Sequence, residues 1–370
     1  MNSDAIVVGG GIVGTACALE LATSGLRVTL IEPSVIGGGA TAAGMGHLAV
    51  MDDSEAQFAL TRYSQRLWHD MAEHLPSEAE YFPCGAVWVA ADGEEMEEVY
   101  RKHRYYSARG VPAEVLDSQA LAEAEPNLRE GLAGGLLLRD DAVIYPPCAA
   151  GYLAAEASAR GMRMVPARAR DVSDAGVRLE DGTRLSSQFV IVATGAAASQ
   201  LIPHITIQPR KGHLVITDRY PGFLRHQLIE LGYLKSAHSI DSDSVAFNAQ
   251  PRLTGQILIG SSRQYAVEDS VVEPHMLSDM LRRAVEYMPG LVDLSAIRCW
   301  TGFRAATPDK LPLIGLCPGF ASVYLATGHE GLGISTSLAT ARLLADSILD
   351  RASAISREPY LPERSFATHA

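Results

Sequence analysis

The chain opens with a short apolar run, Ala5 to Val8, then a glycine turn, then an apolar-rich stretch from Ile12 to Ser24 long enough for a helix. A second short run, Arg27 to Ile31, follows a connector at Gly25, so strand, helix and strand predict a βαβ unit and the start of a doubly wound sheet. Ser54 to Leu75 carries Ala56, Leu60, Tyr63, Leu67, Met71 and Leu75 near helical spacing with charges between them, which predicts a packed surface helix. Glu94 to Arg104 is so charged that it reads as a solvated helical face. Strand signals return between Arg168 and Gly195, ending in Phe189 to Ala193, a continuous apolar run of the kind a buried parallel strand shows.

Further runs at His213 to Thr217, Ser244 to Phe247 and Gln256 to Ile259, with a turn at Gly255, predict an antiparallel sheet. Met276 to Met288 predicts a helix stopped by Pro289. After Trp300 comes a Pro- and Gly-rich loop, a strand at Ser322 to Ala326, the turn GHEGLGIS (328 to 335), and an amphipathic helix bearing Ile334, Leu338, Ala341, Ala345 and Ile348. That is a second strand, glycine turn and helix. The expected class is α/β.

At 370 residues the chain exceeds what one core usually organises, so two lobes around a shared cleft are expected. With 47% apolar and 20% charged residues it reads as globular, and its apolar runs fall short of the roughly 18 residues a spanning helix needs, so no transmembrane segment is expected. The net charge of −12, without a basic stripe, argues against nucleic acid as a partner. MNSDAIVVGG offers no secretory leader, and the scattered Cys17, Cys84, Cys148, Cys299 and Cys317 read as reduced thiols of a cytoplasmic protein. No metal or cluster site is expected from this chain alone.

Gly9, Gly11 and Gly14 form GxGxxG between the first strand and helix, and Glu32 closes the next strand. Glycines there allow a tight turn and close approach of a pyrophosphate to the helix amides, while an acid at the second strand end can hold ribose hydroxyls. The alternative is a glycine turn that serves only packing. The same unit binds the ADP half of NAD or FAD, so the rest of the chain must choose. Gly37 to His47 is a small-residue loop that suits a long ligand lying flat on backbone, and with the second glycine turn it favours the flavin dinucleotide.

Four segments, AIVVGGGIVG with Glu32, VIVATGAAA (190 to 198), GFRAATPDKLPLIG (302 to 315) and ATGHEGLGIS (326 to 335), resemble the D-amino acid oxidase superfamily of flavoproteins, which includes glycine oxidase, sarcosine oxidase and D-amino acid dehydrogenase. ATAAGMGHLAVMDDS, TGQILIGSSRQ and GHEGLGIS look closest to the flavin (beta) subunits of heteromeric amine dehydrogenases: D-hydroxyproline dehydrogenase, opine oxidase and hydrogen cyanide synthase. The resemblance implies a Rossmann-like, glutathione-reductase-like FAD-binding domain built from 1–80, 145–208 and 300–370. It also implies an α+β substrate domain on an antiparallel sheet from 81–144 and 209–299.

Carried over by position, the resemblance implies that Arg304 grips a substrate carboxylate, with His47, Asn248 and His213 near the cleft; Asn248 stands where glycine oxidase has a tyrosine. The implied cofactor contacts are Gly9, Gly11, Ile12, Val13 and Gly14; Glu32 and Pro33; Ala40, Thr41, Ala42, Met45, Gly46 and His47; Val172; Ala193, Thr194 and Gly195; Arg304; and Gly328, His329, Glu330, Gly331, Leu332, Gly333 and Ile334. Ala305 and Ala306 stand where sarcosine oxidases carry a flavin-linking thiol, so FAD is expected to be non-covalent. Side chains of His329 and Glu330, adjacent on one backbone and without a third ligand, do not predict a metal site.

The implied reaction is hydride transfer from the Cα of a secondary or cyclic amino acid (D-hydroxyproline, proline or an opine) to the flavin, giving an imine. The resemblance further implies partner subunits that carry any second cofactor, FMN or a [2Fe-2S] cluster, and that can bring a cytoplasmic chain to the inner face of a membrane. Three alternatives stay open: an oxygen-using oxidase, an electron-relay or scaffold subunit whose partner holds the substrate, and an NAD dehydrogenase.

Overall fold

The computed structural model of the protein describes residues 3–232, 243–265 and 267–365. Two eight-stranded sheets organise them. The first runs in the order Leu313–Leu316, Val323–Thr327, Arg184–Val192, Ser3–Val8, Val28–Ile31, Arg163–Val165. All of these pair in parallel except Leu313–Leu316, which is antiparallel at the edge. Ala169–Ser173 and Gly176–Leu179 form an antiparallel extension on Arg184–Val192.

Residues of the first strand alternate between two cores: Ala5 and Val7 join one cluster, Ile6 and Val8 the other. A parallel strand buried on both faces must be apolar throughout, which is why its alternation was invisible in sequence. The helices Ile12–Thr23, Glu55–Met71, Pro146–Ala159 and Gly333–Ile348 pack together over the first of these faces.

The second sheet runs Ala296–Ala306, Gln208–Thr217, Ile257–Arg263, Ser244–Pro251, Gln227–Glu230, Ala86–Ala90, Gly134–Leu138, Ala113–Asp117. It is antiparallel apart from one parallel pair, Gln227–Glu230 with Ala86–Ala90. Three of its strands, between residues 86 and 138, were not foreseen. Neither was the longest: the segment around Trp300 to Ala306 is no loop but the end of an 11-residue strand paired along Gln208–Thr217.

The charged helix also differs from expectation. Gly93–Ser107 buries Met96, Val99, Lys102 and Tyr106, and the Lys102 ammonium pairs with Asp52 and lies 4.6 Å from the Trp88 ring centroid. The aliphatic stem of a lysine can be buried wherever its head finds a carboxylate, so charge alone does not mark a solvated position.

Candidate active site

The first sheet and its helices form a glycine cradle. A Cβ on Gly14 would lie 1.9 Å from the carbonyl oxygen of Gly9, and one on Gly9, at φ +110°, would lie 2.6 Å from that of Ala193. Only glycine fits either position. Helix Ile12–Thr23 starts at Gly11 without a side-chain cap on its own first residue, while Thr41 Oγ1 accepts from the Ile12 amide at 3.0 Å. Glu32 braces the turn, accepting from the amides of Gly10 at 2.8 Å and Ser34 at 2.9 Å. Each carboxylate oxygen keeps further acceptor capacity for a sugar hydroxyl.

These residues fit FAD. A Cβ on Gly11 would meet only Thr41 Oγ1, at 3.2 Å, and one on Gly195 would meet nothing within 4 Å, so both backbones border open space. Among the described residues the buried Thr194 Oγ1 has no partner. A helix N-terminus over bare backbone, with an unsatisfied hydroxyl on the adjoining strand end, is the donor set a pyrophosphate-containing ligand needs. Ala40 and Ala42 are exposed on the short helix Gly39–Ala42, Pro33 is exposed beyond Glu32, and Val172 lies buried in the extension strand.

The Ala43 to Met45 loop crosses from this cradle onto the second sheet. A Cβ on Gly302 would meet Ala43 Cβ at 2.2 Å, one on Gly260 would meet Met45 Sδ at 3.1 Å, and one on Gly44 would meet Ile334 Cδ1 at 2.5 Å. Glycines therefore let three layers touch: loop, sheet, and the start of helix Gly333–Ile348. Gln250 Nε2 donates to the Met45 carbonyl at 2.8 Å, and Asn248, paired with Gly260 across the sheet, sits on the same face with its Oδ1 buried and unpartnered.

Arg304 also lies on this face. Its Nη1 donates to the Ser262 carbonyl at 3.0 Å, and its side chain passes over Gly212. Directly opposite Arg304 in the strand register stands Arg210, which pairs with Glu330 and stacks on Tyr265 at 4.7 Å. Arg210 and Tyr265 had not been singled out from the sequence. Parity was the available signal: Arg210 and Gly212 share a face, two residues apart.

The same parity removes His213 from the cleft. It faces the other side of the sheet, where Nδ1 meets Ser262 Oγ at 2.9 Å and Nε2 accepts from the Glu273 amide at 3.1 Å. Burial, with Lys211 nearby, lowers its pKa. With both ring nitrogens engaged away from Arg304, His213 is a packing residue.

His329 is also turned inward. Its Nε2 meets Thr340 Oγ1 at 3.0 Å, and burial presses its pKa down to about 3. Its place in the turn is therefore through backbone. His47 is half-buried with Nε2 unpartnered, and desolvation lowers its pKa to about 3 as well, so it stands neutral. Cys317 is fully buried beyond the PLIG segment, its thiol pushed up to about 11 by burial.

A cavity of about 680 Å³ is an open groove between the four helices, lined by residues such as Leu19, Met71, Tyr152 and Arg342, and it shares no lining residue with this face. Among the described residues no group of three or more His, Cys, Asp or Glu could hold a metal ion, and no helix is long and apolar enough to cross a membrane.

Comparison with known proteins agrees with this geometry. Residues 4–347 match the family described as FAD dependent oxidoreductase, DAO. The chain belongs to the DAO family. As a member it is an FAD-dependent amino acid oxidoreductase. A glycine oxidase of Geobacillus kaustophilus is 27% identical over 96% of each chain. A crystal structure of glycine oxidase from that organism superposes with a TM-score of 0.87 at 26% identity, covering 97% of this chain and 98% of that one. L-proline dehydrogenase from P. horikoshii gives a TM-score of 0.87 at 25% identity, covering 98% and 97%. The hydrogen cyanide synthase subunit HcnC of Pseudomonas aeruginosa is 26% identical, covering 98% of this chain and 96% of its own. The DAO architecture accounts for the mixed sheets and for the cradle at Gly9 to Gly14.

Proposed function

We propose that this DAO-family protein oxidises the Cα–N bond of a secondary or cyclic amino acid, of the proline, hydroxyproline or opine type, to an imine, as the dehydrogenase subunit of a heteromeric complex. The observation that carries the reading is Arg304: a half-buried guanidinium fixed on the sheet face that meets the Ala43 to Met45 loop. A guanidinium fork suits a planar carboxylate and would hold the neighbouring Cα in one orientation. The likeness to proline dehydrogenase supports a cyclic amine, and the likeness to HcnC supports partner subunits.

FAD, when bound, supplies the hydride acceptor. In this reading Gly9 to Gly14 and Thr41 hold its phosphates, and Thr194, Gly195 and the turn from Gly328 to Gly333 border the rest. The N-terminus of helix Gly333–Ile348 offers positive dipole to negative charge gathering there. Asn248 Oδ1 can accept from a polar group of the substrate. His47, neutral and with its pKa far below the working range, can exchange hydrogen bonds but is poorly matched to act as a base. The substrate amine therefore arrives unprotonated, and as the hydride leaves Cα the nitrogen lone pair closes the C=N bond of an iminium, whose N–H proton is then lost to water to give the imine. Water then hydrolyses the released imine.

Anaerobic titration of the purified chain, with and without partners, against a panel of amino acids tests the reading through flavin bleaching. Cyclic secondary amino acids are expected to bleach it, and Arg304→Leu to abolish bleaching. Brisk peroxide production by the chain alone would replace the dehydrogenase reading with an oxidase. Full bleaching by Arg304→Leu would move the substrate site to a partner.

A further inference from the structure

The site holds a nearly buried carboxylate that the reaction as described leaves unused. Glu330 sits in the left-handed region, φ +54°, which costs a non-glycine residue roughly 1 kcal/mol or more and persists where surroundings enforce it. Its amide donates to the Ala305 carbonyl at 2.9 Å, beside Arg304. The next residue tightens the arrangement: a Cβ on Gly331 would stand 3.4 Å from both Cδ and Nε of Arg304.

Glu330 Oε1 pairs with Arg210, the residue facing Arg304 across the strands. The side chain is 11% exposed, yet its second oxygen, Oε2, is buried and has no hydrogen-bond partner among the described residues. A buried carboxylate oxygen left without a donor is costly, so such an atom marks a position where a donor belongs. Arg210 reaches the other oxygen through Nη1 and packs on Tyr265, its own buried Nε being likewise without a partner.

We infer that Glu330 Oε2 receives the N–H of the substrate's amino group. The inference rests on the amino-acid reading of the site given above. An α-amino acid places its nitrogen one carbon away from its carboxylate, so a molecule gripped by Arg304 presents its N–H to the neighbouring Glu330. The pair reads both functional groups of one substrate class, and an acid lacking an N–H leaves Oε2 unsatisfied. Arg210 holds the carboxylate in place. Glu330 is thus a binding residue for amines that retain at least one N–H.

The test uses the FAD-loaded protein and two probes matched in shape that both lack a Cα hydrogen: α-methylproline and 2-methyltetrahydrofuran-2-carboxylate. Dissociation constants are read from flavin difference spectra, which do not depend on turnover. The wild-type protein is expected to favour the amine probe by about 10-fold or more, the range of a hydrogen bond to a charged group. In Glu330→Gln that preference is expected to fall to below about 3-fold, with the ether probe little changed. Glu330→Asp, which keeps the charge opposite Arg210 but withdraws the oxygen by one methylene, is the second variant and should lower the preference in the same sense. Unchanged preference in both variants, or equal weakening of both probes, overturns the role of Glu330. Failure of the wild-type protein to bind either probe overturns the proline-type amino-acid reading itself, and the inference with it.

Discussion

The guanidinium of Arg304 lies against the backbone of Gly212: a Cβ there would stand 2.5 Å from Nη1. The contact is with the tip of a long side chain, so a methyl group displaces the arginine rather than the strand. Gly212→Ala is expected to raise KM for a carboxylate-bearing substrate by about 10-fold, the scale of one weakened charged hydrogen bond, with a change in stability below about 1 kcal/mol. Steady-state kinetics beside a thermal melt separate the two. A large loss of stability with unchanged KM would contradict this account of Arg304.

The cradle predicts a different outcome for Gly14→Ala. Its new methyl would sit 1.9 Å from the Gly9 carbonyl oxygen, and neither backbone can yield without opening the turn. The variant is expected to purify with little or no flavin and to lose about 1 to 3 kcal/mol of stability, as overpacked sites do. The ratio of flavin to protein absorbance measures the first effect and urea unfolding the second.

His329 makes stability fall on the acid side. Burial holds its folded pKa near 3, below its unfolded value, so between about pH 6.5 and 3 the unfolded chain binds the extra proton. Stability from this group is complete above that window and is lost as pH falls through it. His329→Gln, which retains a group to meet Thr340, is expected to lose about 2 kcal/mol less than the parent between pH 7 and pH 5 in urea unfolding.

Asp141 acts in the opposite sense. Its Oδ1 accepts from the Val50 amide at 3.2 Å and Gln65 Nε2 at 2.8 Å, Oδ2 is buried without a partner, and burial raises its pKa to about 8. The fold prefers the neutral acid, so stability falls as pH rises from about 4 to 8 and beyond while the folded state remains partly protonated. Between pH 7 and pH 9 the parent should lose about 1.4 kcal/mol that Asp141→Asn does not. Equal losses in the two proteins would show that the carboxyl is ionised in the fold.

The sequence was most legible where chemistry leaves one choice of residue. Gly9 and Gly14 could be read because no other side chain fits between that strand and helix, and the GHEGLGIS turn because its glycines interrupt an otherwise regular strand and helix. The strand Ala296–Ala306 was hidden because its first four residues are all exposed, so it shows no alternation. The face that His213 takes is not legible in sequence, since a strand's parity becomes a face only once its neighbours are known. Lys102 looked solvated because its partner, Asp52, is 50 residues away, and the Arg210 and Glu330 pair spans 120. Pairings at that range leave no local pattern.

A backbone hydrogen bond, from Glu330 to Ala305, ties the glycine turn of the first sheet to the edge strand of the second, immediately beside Arg304. Asn248 stands three strands in from that edge and takes no part in the tie. One corner of the cleft is therefore frozen, since a residue change there disturbs both sheets together. Asn248, its Oδ1 buried and without a partner, lies outside that tie, so a change at this one position alters what the cleft offers a substrate while the bond between the sheets stays in place.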